Sequence, residues 1–128
     1  MKKKILIIDD DKEICDELKE ILEDEGYSVE ISLDGLEGFE MIEKNDYDII
    51  LQDIKLPGLD GVELLKKTKS INNKIKIIIL TGRPLASRLL NENKQFKKEE
   101  DDIFRLADAV FNKPFDIVKL LNKIEILS

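Results

Sequence analysis

The chain alternates between short apolar runs and longer stretches in which apolar residues recur with helical spacing. Three runs are rich in β-branched residues and too short for helices, and they lie at residues 5–8, 49–51 and 75–80. Such runs are typical of strands that are buried on both faces of a sheet. Residues 27–31, which alternate weakly, and residues 109–111 predict two further short strands.

Apolar stripes with helical spacing follow the strands. The first contains Ile14, Leu18 and Leu22, and Gly26 is placed to end it. Others follow Asp34-Gly35, Asp60 and Asp116, and Asp11, Asp60 and Asp116 are predicted to cap helix N-termini. Strands that alternate with helices predict an α/β fold, a doubly wound five-stranded parallel sheet with helices on both faces.

One region, residues 82–107, is irregular. Leu85, Leu89 and Leu90 predict one helix there, and Ile103, Phe104 and Leu106 predict a second. Between them, residues 97–102 form the charged run KKEEDD. A run of this kind is usually a solvated surface, and we interpret it in that way.

The length, charge and residue content of the chain exclude several classes of function. The 128 residues suit a single domain, and the net charge is −7 with dispersed lysines, which argues against direct nucleic-acid binding. The absence of histidine excludes His–metal and Ser–His chemistry. Cys15 is the only cysteine and is expected to be a small core thiol. With neither a signal peptide nor a membrane-spanning segment in the sequence, we expect a cytoplasmic protein without membrane contact.

Polar residues follow four of the predicted strands. Asp9 and Asp10 follow the first, Asp53 the third, Thr81 the fourth and Lys113 the fifth. A lone aspartate at a strand end is more often a turn former or helix cap, but parallel strands would bring these groups to one edge. Buried, clustered carboxylates persist only with a cation or with raised pKa values. Oxygen ligands suit Mg²⁺ or Ca²⁺, and because the spacing does not match a calcium-binding loop, Mg²⁺ is favoured. Mg²⁺ with a lysine and a hydroxyl suits phosphoryl transfer, in which a carboxylate can act as the nucleophile.

Four motifs carry a resemblance to a known family: ILIIDDD, DIILQDIKLPGLDG, IIILTG and FNKPF, in that order. The sequence resembles the receiver domains of bacterial two-component response regulators, of the stand-alone chemotaxis or phosphorelay type. The resemblance covers essentially the whole chain, as one domain over residues 1–128. It implies a flavodoxin-like sheet with strand order 2-1-3-4-5.

The resemblance also implies roles for individual residues. Asp53 would be the phosphoryl acceptor. Asp9 and Asp10, with Asp53 and the backbone carbonyl of Lys55, would bind Mg²⁺. Thr81 would supply the hydroxyl that moves to the phosphoryl group.

The family motif gives Lys113 the role of pairing with the phosphoryl oxygens. A cis peptide is expected before Pro114. The implied donor is a sensor histidine kinase or a histidine phosphotransfer protein, and an output protein or domain of unknown identity would read the altered surface. The chain would then be a signalling switch that catalyses only its own phosphotransfer and slow self-dephosphorylation.

Several features depart from the family pattern. Thr81 and Lys113 are 32 positions apart, roughly ten more than usual, which predicts an insertion within about residues 83–102, before or in the fourth helix. Val110 stands where an aromatic residue is usual, and Phe111 should face the opposite side of its strand. Lys55 and Arg83 flank the site, from which we predict slow self-dephosphorylation.

Gln52 is less apolar than a central strand favours, and a hydrogen bond to a neighbour is the only role that we assign to it from the sequence. Two other functions stay open at this point. A pseudo-receiver would bind partners without being phosphorylated. A Mg²⁺-dependent phosphatase acting on a separate substrate would need a second acidic group where Lys55 stands. The cognate kinase, the pathway and the oligomeric state do not follow from the sequence.

Overall fold

The computed structural model describes residues 3–82 and 94–128, in which strands and helices alternate. The strands are β1 (Lys4–Ile8), β2 (Ser28–Ser32), β3 (Ile49–Gln52), β4 (Lys76–Thr81) and β5 (Ala109–Asn112). The helices are α1 (Lys12–Asp24), α2 (Gly35–Lys44), α3 (Gly61–Ile71), α4 (Lys94–Leu106) and α5 (Ile117–Leu127).

The strands form one parallel sheet in the order β2-β1-β3-β4-β5. This confirms the predicted α/β fold and strand order. In register, Ile8 of β1 lies beside Gln52 of β3, and Thr81 of β4 lies beside Asn112 of β5. The carboxyl ends of these strands therefore meet at one edge of the sheet.

Two apolar clusters explain the continuous apolar runs in the strands. Ile8 of β1 belongs to the cluster that contains Leu65 of α3, on the side of the sheet covered by α2, α3 and α4. Ile7, the preceding residue, packs with Leu18 of α1 on the side covered by α1 and α5. Because successive strand side chains point to opposite faces, a sheet covered on both faces needs apolar residues at every position.

The predicted helix caps are confirmed. Asp11, Asp60 and Asp116 each accept from backbone N–H groups in the first turn of their helix. Asp34, for which no cap was predicted, likewise accepts from the N–H of Glu37 at the start of α2. At the other end of α1, Gly26 has φ +97° and its N–H donates to Glu23. The N–H of Tyr27 donates to Leu22, which completes a Schellman motif.

The charged run, which was predicted to lie between two helices, lies within α4. In the part of this region that the structure describes, helix α4 begins at Lys94 and already includes the charged run. The helix predicted around Leu85, Leu89 and Leu90 lies outside the described residues. The interpretation of the run as a solvated surface is wrong for Glu100, which is buried, because residues three apart share a helix face and Ile103 points into the core.

Candidate functional site

Backbone hydrogen bonds between neighbouring strands hold the predicted site residues at the carboxyl edge of the sheet. The N–H of Asp53 donates to the carbonyl of Ile8 over 3.0 Å. The N–H of Lys113 donates to the carbonyl of Thr81 over 2.7 Å. Asp53 is thus fixed beside the end of β1, and Lys113 beside the end of β4.

Three carboxylates form a cluster at this edge. Asp9, Asp10 and Asp53 each place a carboxylate oxygen within 4.8 Å of the others. Asp9 is buried, Asp53 is partly buried and Asp10 is exposed. Like charges this close repel one another, so a positive charge beside the cluster would stabilise it.

Lys113 supplies a positive charge to the cluster. Its Nζ donates to Oδ2 of Asp9 over 2.7 Å and to Oδ2 of Asp53 over 3.1 Å. Burial of the ammonium group favours its neutral form, but the hydrogen bonds and charges of both aspartates outweigh burial and raise the pKa of Lys113 above its usual value of 10.5. Lys113 is therefore fully protonated at neutral pH.

The second oxygen of each bridged carboxylate is held by the backbone. Oδ1 of Asp53 accepts from the N–H of Ile54 over 2.6 Å, and Oδ1 of Asp9 accepts from the N–H of Asp11 over 3.0 Å. Each carboxylate has about four lone-pair sites, so both can accept a further ligand. With only carboxylate oxygens in the cluster, the donor chemistry fits a hard cation such as Mg²⁺.

A cavity of about 370 Å³ opens beside Asp53 and Lys113. In the described part of the chain it is also lined by Lys55, Thr81 and Gly82. The structure therefore brings all the predicted site residues to one place: Asp9 and Asp10 through the cluster, and Lys55 and Thr81 through the cavity. Arg83, the other predicted flanking cation, lies outside the described residues.

The loop between β3 and α3 holds a contact whose partners the sequence did not identify. The side-chain Nε2 of Gln52 donates to the carbonyl of Gly61 over 2.8 Å and, at a longer 3.4 Å, to the carbonyl of Asp53. The N–H of Gly61 donates to the carbonyl of Ile54 over 2.8 Å. A Cβ at Gly61 would lie 2.4 Å from each of the carbonyl oxygens of Asp53 and Ile54, so only glycine fits there.

Two expectations about β5 and the residues that follow it are confirmed: the cis peptide before Pro114 and the opposite directions of Val110 and Phe111. The Lys113–Pro114 peptide bond is cis. Val110 packs against the cluster on the α2, α3 and α4 side, whereas Phe111 packs on the α1 and α5 side. Phe111 therefore cannot take the place of the aromatic residue that is usual at position 110.

Comparison with known families gives the class of the protein. Residues 5–125 match the family model described as the response regulator receiver domain. The chain belongs to this family, the receiver modules of two-component signalling systems.

Individual relatives cover nearly the whole chain. Sporulation initiation phosphotransferase F of Bacillus subtilis is 34% identical over 98% of this chain and 93% of its own length. The CheY-like receiver domain of Methanospirillum hungatei is 38% identical with a TM-score of 0.84, over 99% of this chain and 94% of that one. The response regulator TrrA of Thermotoga maritima, solved in complex with Mg²⁺–BeF, is 28% identical with a TM-score of 0.81, over 98% and 99%.

Other relatives are longer proteins. The chain spans about half the length of several that are named as transcriptional regulatory proteins or response regulators. Within the described residues, no helix has the length and apolar character needed to cross a membrane.

Proposed function

We propose that this receiver accepts a phosphoryl group on Asp53 from a phosphohistidine, carried by a sensor histidine kinase or a histidine phosphotransfer protein. The observation that carries the proposal is the position of Lys113, whose ammonium group bridges Asp9 and Asp53 at the mouth of a cavity. The name of the Bacillus subtilis relative, a phosphotransferase, is consistent with this chemistry.

Transfer makes one bond and breaks one. An oxygen of the Asp53 carboxylate attacks the phosphorus, the phosphorus–nitrogen bond of the donor breaks, and its electron pair returns to the imidazole. Asp53 is held for this attack by its own backbone N–H bond to Ile8 and by the N–H of Ile54. Because such transfer depends on positioning and charge neutralisation, these fixed contacts are the main contribution of the chain.

Asp9, Asp10 and Asp53 would hold Mg²⁺, with the backbone carbonyl of Lys55 as a further ligand. When bound, the ion supplies positive charge where the phosphoryl oxygens gather. The three clustered carboxylates support this assignment, as does the Mg²⁺–BeF complex of the Thermotoga maritima relative.

Phosphorylation would alter the contacts of Lys113 and Thr81. The carboxylate of Asp53 carries one negative charge, and the phosphoryl group carries close to two, so Lys113 would pair with the new oxygens. The Thr81 hydroxyl, which borders the same cavity, would move toward them. Such a movement would change the surface around α4 and β5 that an output partner reads.

Phosphorylation can be tested by measuring the intact mass after incubation with acetyl phosphate and MgCl₂. We expect a gain of one phosphoryl group, lost in Asp53→Asn and without Mg²⁺. Asp48→Asn is the matched control, because Asp48 lies just before the other end of β3 and accepts from the N–H of Lys4. Absence of any gain in the unmodified protein would reject the proposal and favour a pseudo-receiver.

A further inference from the structure

Gln52 is a buried amide in the centre of the sheet. It is 1% exposed and lies in register between Ile8 of β1 and Ile79 of β4. Both isoleucines belong to the apolar cluster beneath α2, α3 and α4. An apolar residue would fit this environment better, because a buried amide loses its hydrogen bonds to water.

The orientation of the amide is determined by its surroundings. Both groups near its nitrogen are carbonyls, those of Gly61 and Asp53, and carbonyls only accept hydrogen bonds. The nitrogen must therefore point toward them. Oε1 is then buried and has no hydrogen-bond partner among the described residues. An unsatisfied buried acceptor destabilises the folded state, so Gln52 is poorly explained by stability alone.

The contacts of Gln52 connect the two ends of the β3–α3 loop. One carbonyl belongs to Asp53, where the loop begins, and the other to Gly61, where α3 begins. The bond from the N–H of Gly61 to Ile54 closes the same loop. Lys55 lies inside it, so the position of the Lys55 carbonyl depends on how both ends are held.

We propose that Gln52 is a positioning residue that holds the β3–α3 loop in the geometry needed to bind Mg²⁺. It acts through the backbone of Asp53 and Gly61 and touches neither the ion nor the phosphoryl group. This inference rests on the proposed function, since it assumes that the Asp53 cluster binds Mg²⁺.

The test compares Gln52→Met with Thr68→Val. Methionine has nearly the volume of glutamine but cannot donate. Thr68 is a matched control, because it is fully buried in α3 and its Oγ1 also has no hydrogen-bond partner among the described residues. It lies seven residues beyond Gly61, about 10 Å along the helix. The Kd for MgCl₂ alone is measured by titration calorimetry, and thermal unfolding is followed without metal.

For Gln52→Met we expect a Mg²⁺ affinity weaker by about tenfold, as is typical when an outer-shell contact is lost. Its metal-free melting temperature should change little, because the substitution removes both the unsatisfied acceptor and the hydrogen bond from Nε2 to the carbonyl of Gly61. Thr68→Val should leave the Mg²⁺ affinity unchanged. A purely structural role would move the melting temperature and spare the Kd.

An unchanged Kd in Gln52→Met would overturn the inference, as would an equal weakening in Thr68→Val. If the unmodified protein bound no Mg²⁺, the inference would also fall. The proposed function can fail separately: a protein that binds Mg²⁺ but gains no phosphoryl mass would refute phosphorylation, and the difference in Kd would still establish the role of Gln52.

Discussion

Replacement of Lys113 by methionine removes the positive charge from the carboxylate cluster and keeps most of the side-chain volume. Asp9 and Asp53 would then lie close together without the cation that bridges them. In the absence of Mg²⁺, we expect Lys113→Met to destabilise the folded protein at neutral pH.

The size of the effect follows from the geometry. With an effective dielectric constant of about 20, charges at 2.7 Å and 3.1 Å attract by about 6 and 5 kcal/mol before desolvation is subtracted. Breaking a buried ion pair by removing one partner typically costs about 3–5 kcal/mol. The Lys113 side chain retains 19% exposure, so we expect a loss of about 3 kcal/mol.

The assay is urea denaturation of both proteins in chelator, repeated across pH. The pKa of Lys113 is raised in the folded state, so its stabilisation is fully present below the usual value of 10.5 and is lost as the pH rises through the raised value. The difference between the proteins should therefore disappear in strong alkali.

Lys12→Met is the matched control, because Lys12 is paired with Asp16 over 2.8 Å but is exposed. We expect no resolvable change in its stability. A Lys113→Met protein as stable as its parent at pH 7, or a difference that does not vary with pH, would refute the electrostatic explanation of the site.

Four further predictions concern single residues. Asp10→Asn should raise the urea midpoint of the metal-free protein and weaken Mg²⁺ binding by at least about tenfold; a lower midpoint would contradict the assumed repulsion. Gly61→Ala should cost about 3 kcal/mol in urea unfolding, since its Cβ would meet the Asp53 carbonyl; a neutral result would mean that the loop yields. Lys55→Ala should shorten the half-life of phosphorylated Asp53, measured by intact mass, and an unchanged half-life would show that Lys55 does not obstruct water. Burial raises the pKa of the Cys15 thiol to about 12, so iodoacetamide at pH 8 should label it only in urea, and rapid labelling of the native protein would argue against its burial.

The strands were predictable because a sheet covered on both faces leaves a distinct pattern. Ile7 and Ile8 pack on opposite faces, and the run that contains them is therefore apolar throughout. The site was predictable for a related reason: parallel strands place their carboxyl ends together, so Asp9 and Asp53 had to lie close.

The fourth helix was harder to predict because its charges obscure the helical period. Glu100 is buried on the same face as Ile103, and the side chain of Asp102, which is 14% exposed, pairs with Lys66 of α3. Local sequence cannot reveal partners on another helix. The contacts of Gln52 were missed for the same reason, because its main acceptor, Gly61, lies nine positions away.

Ion pairs and hydrogen bonds join the C-terminal end of α4 to α3 and β4. Asp102 pairs with Lys66, and just beyond the helix Oδ2 of Asp108 accepts from Nζ of Lys69 and from the N–H of Ile77, each over 2.8 Å. A helix of 13 residues is about 20 Å long. If α4 moves as a rigid rod, this attachment is its pivot, and a tilt of about 10° would carry the start of the helix about 3 Å. The fold thus anchors one end of α4 to α3 and β4, so that any tilt displaces the start of the helix most.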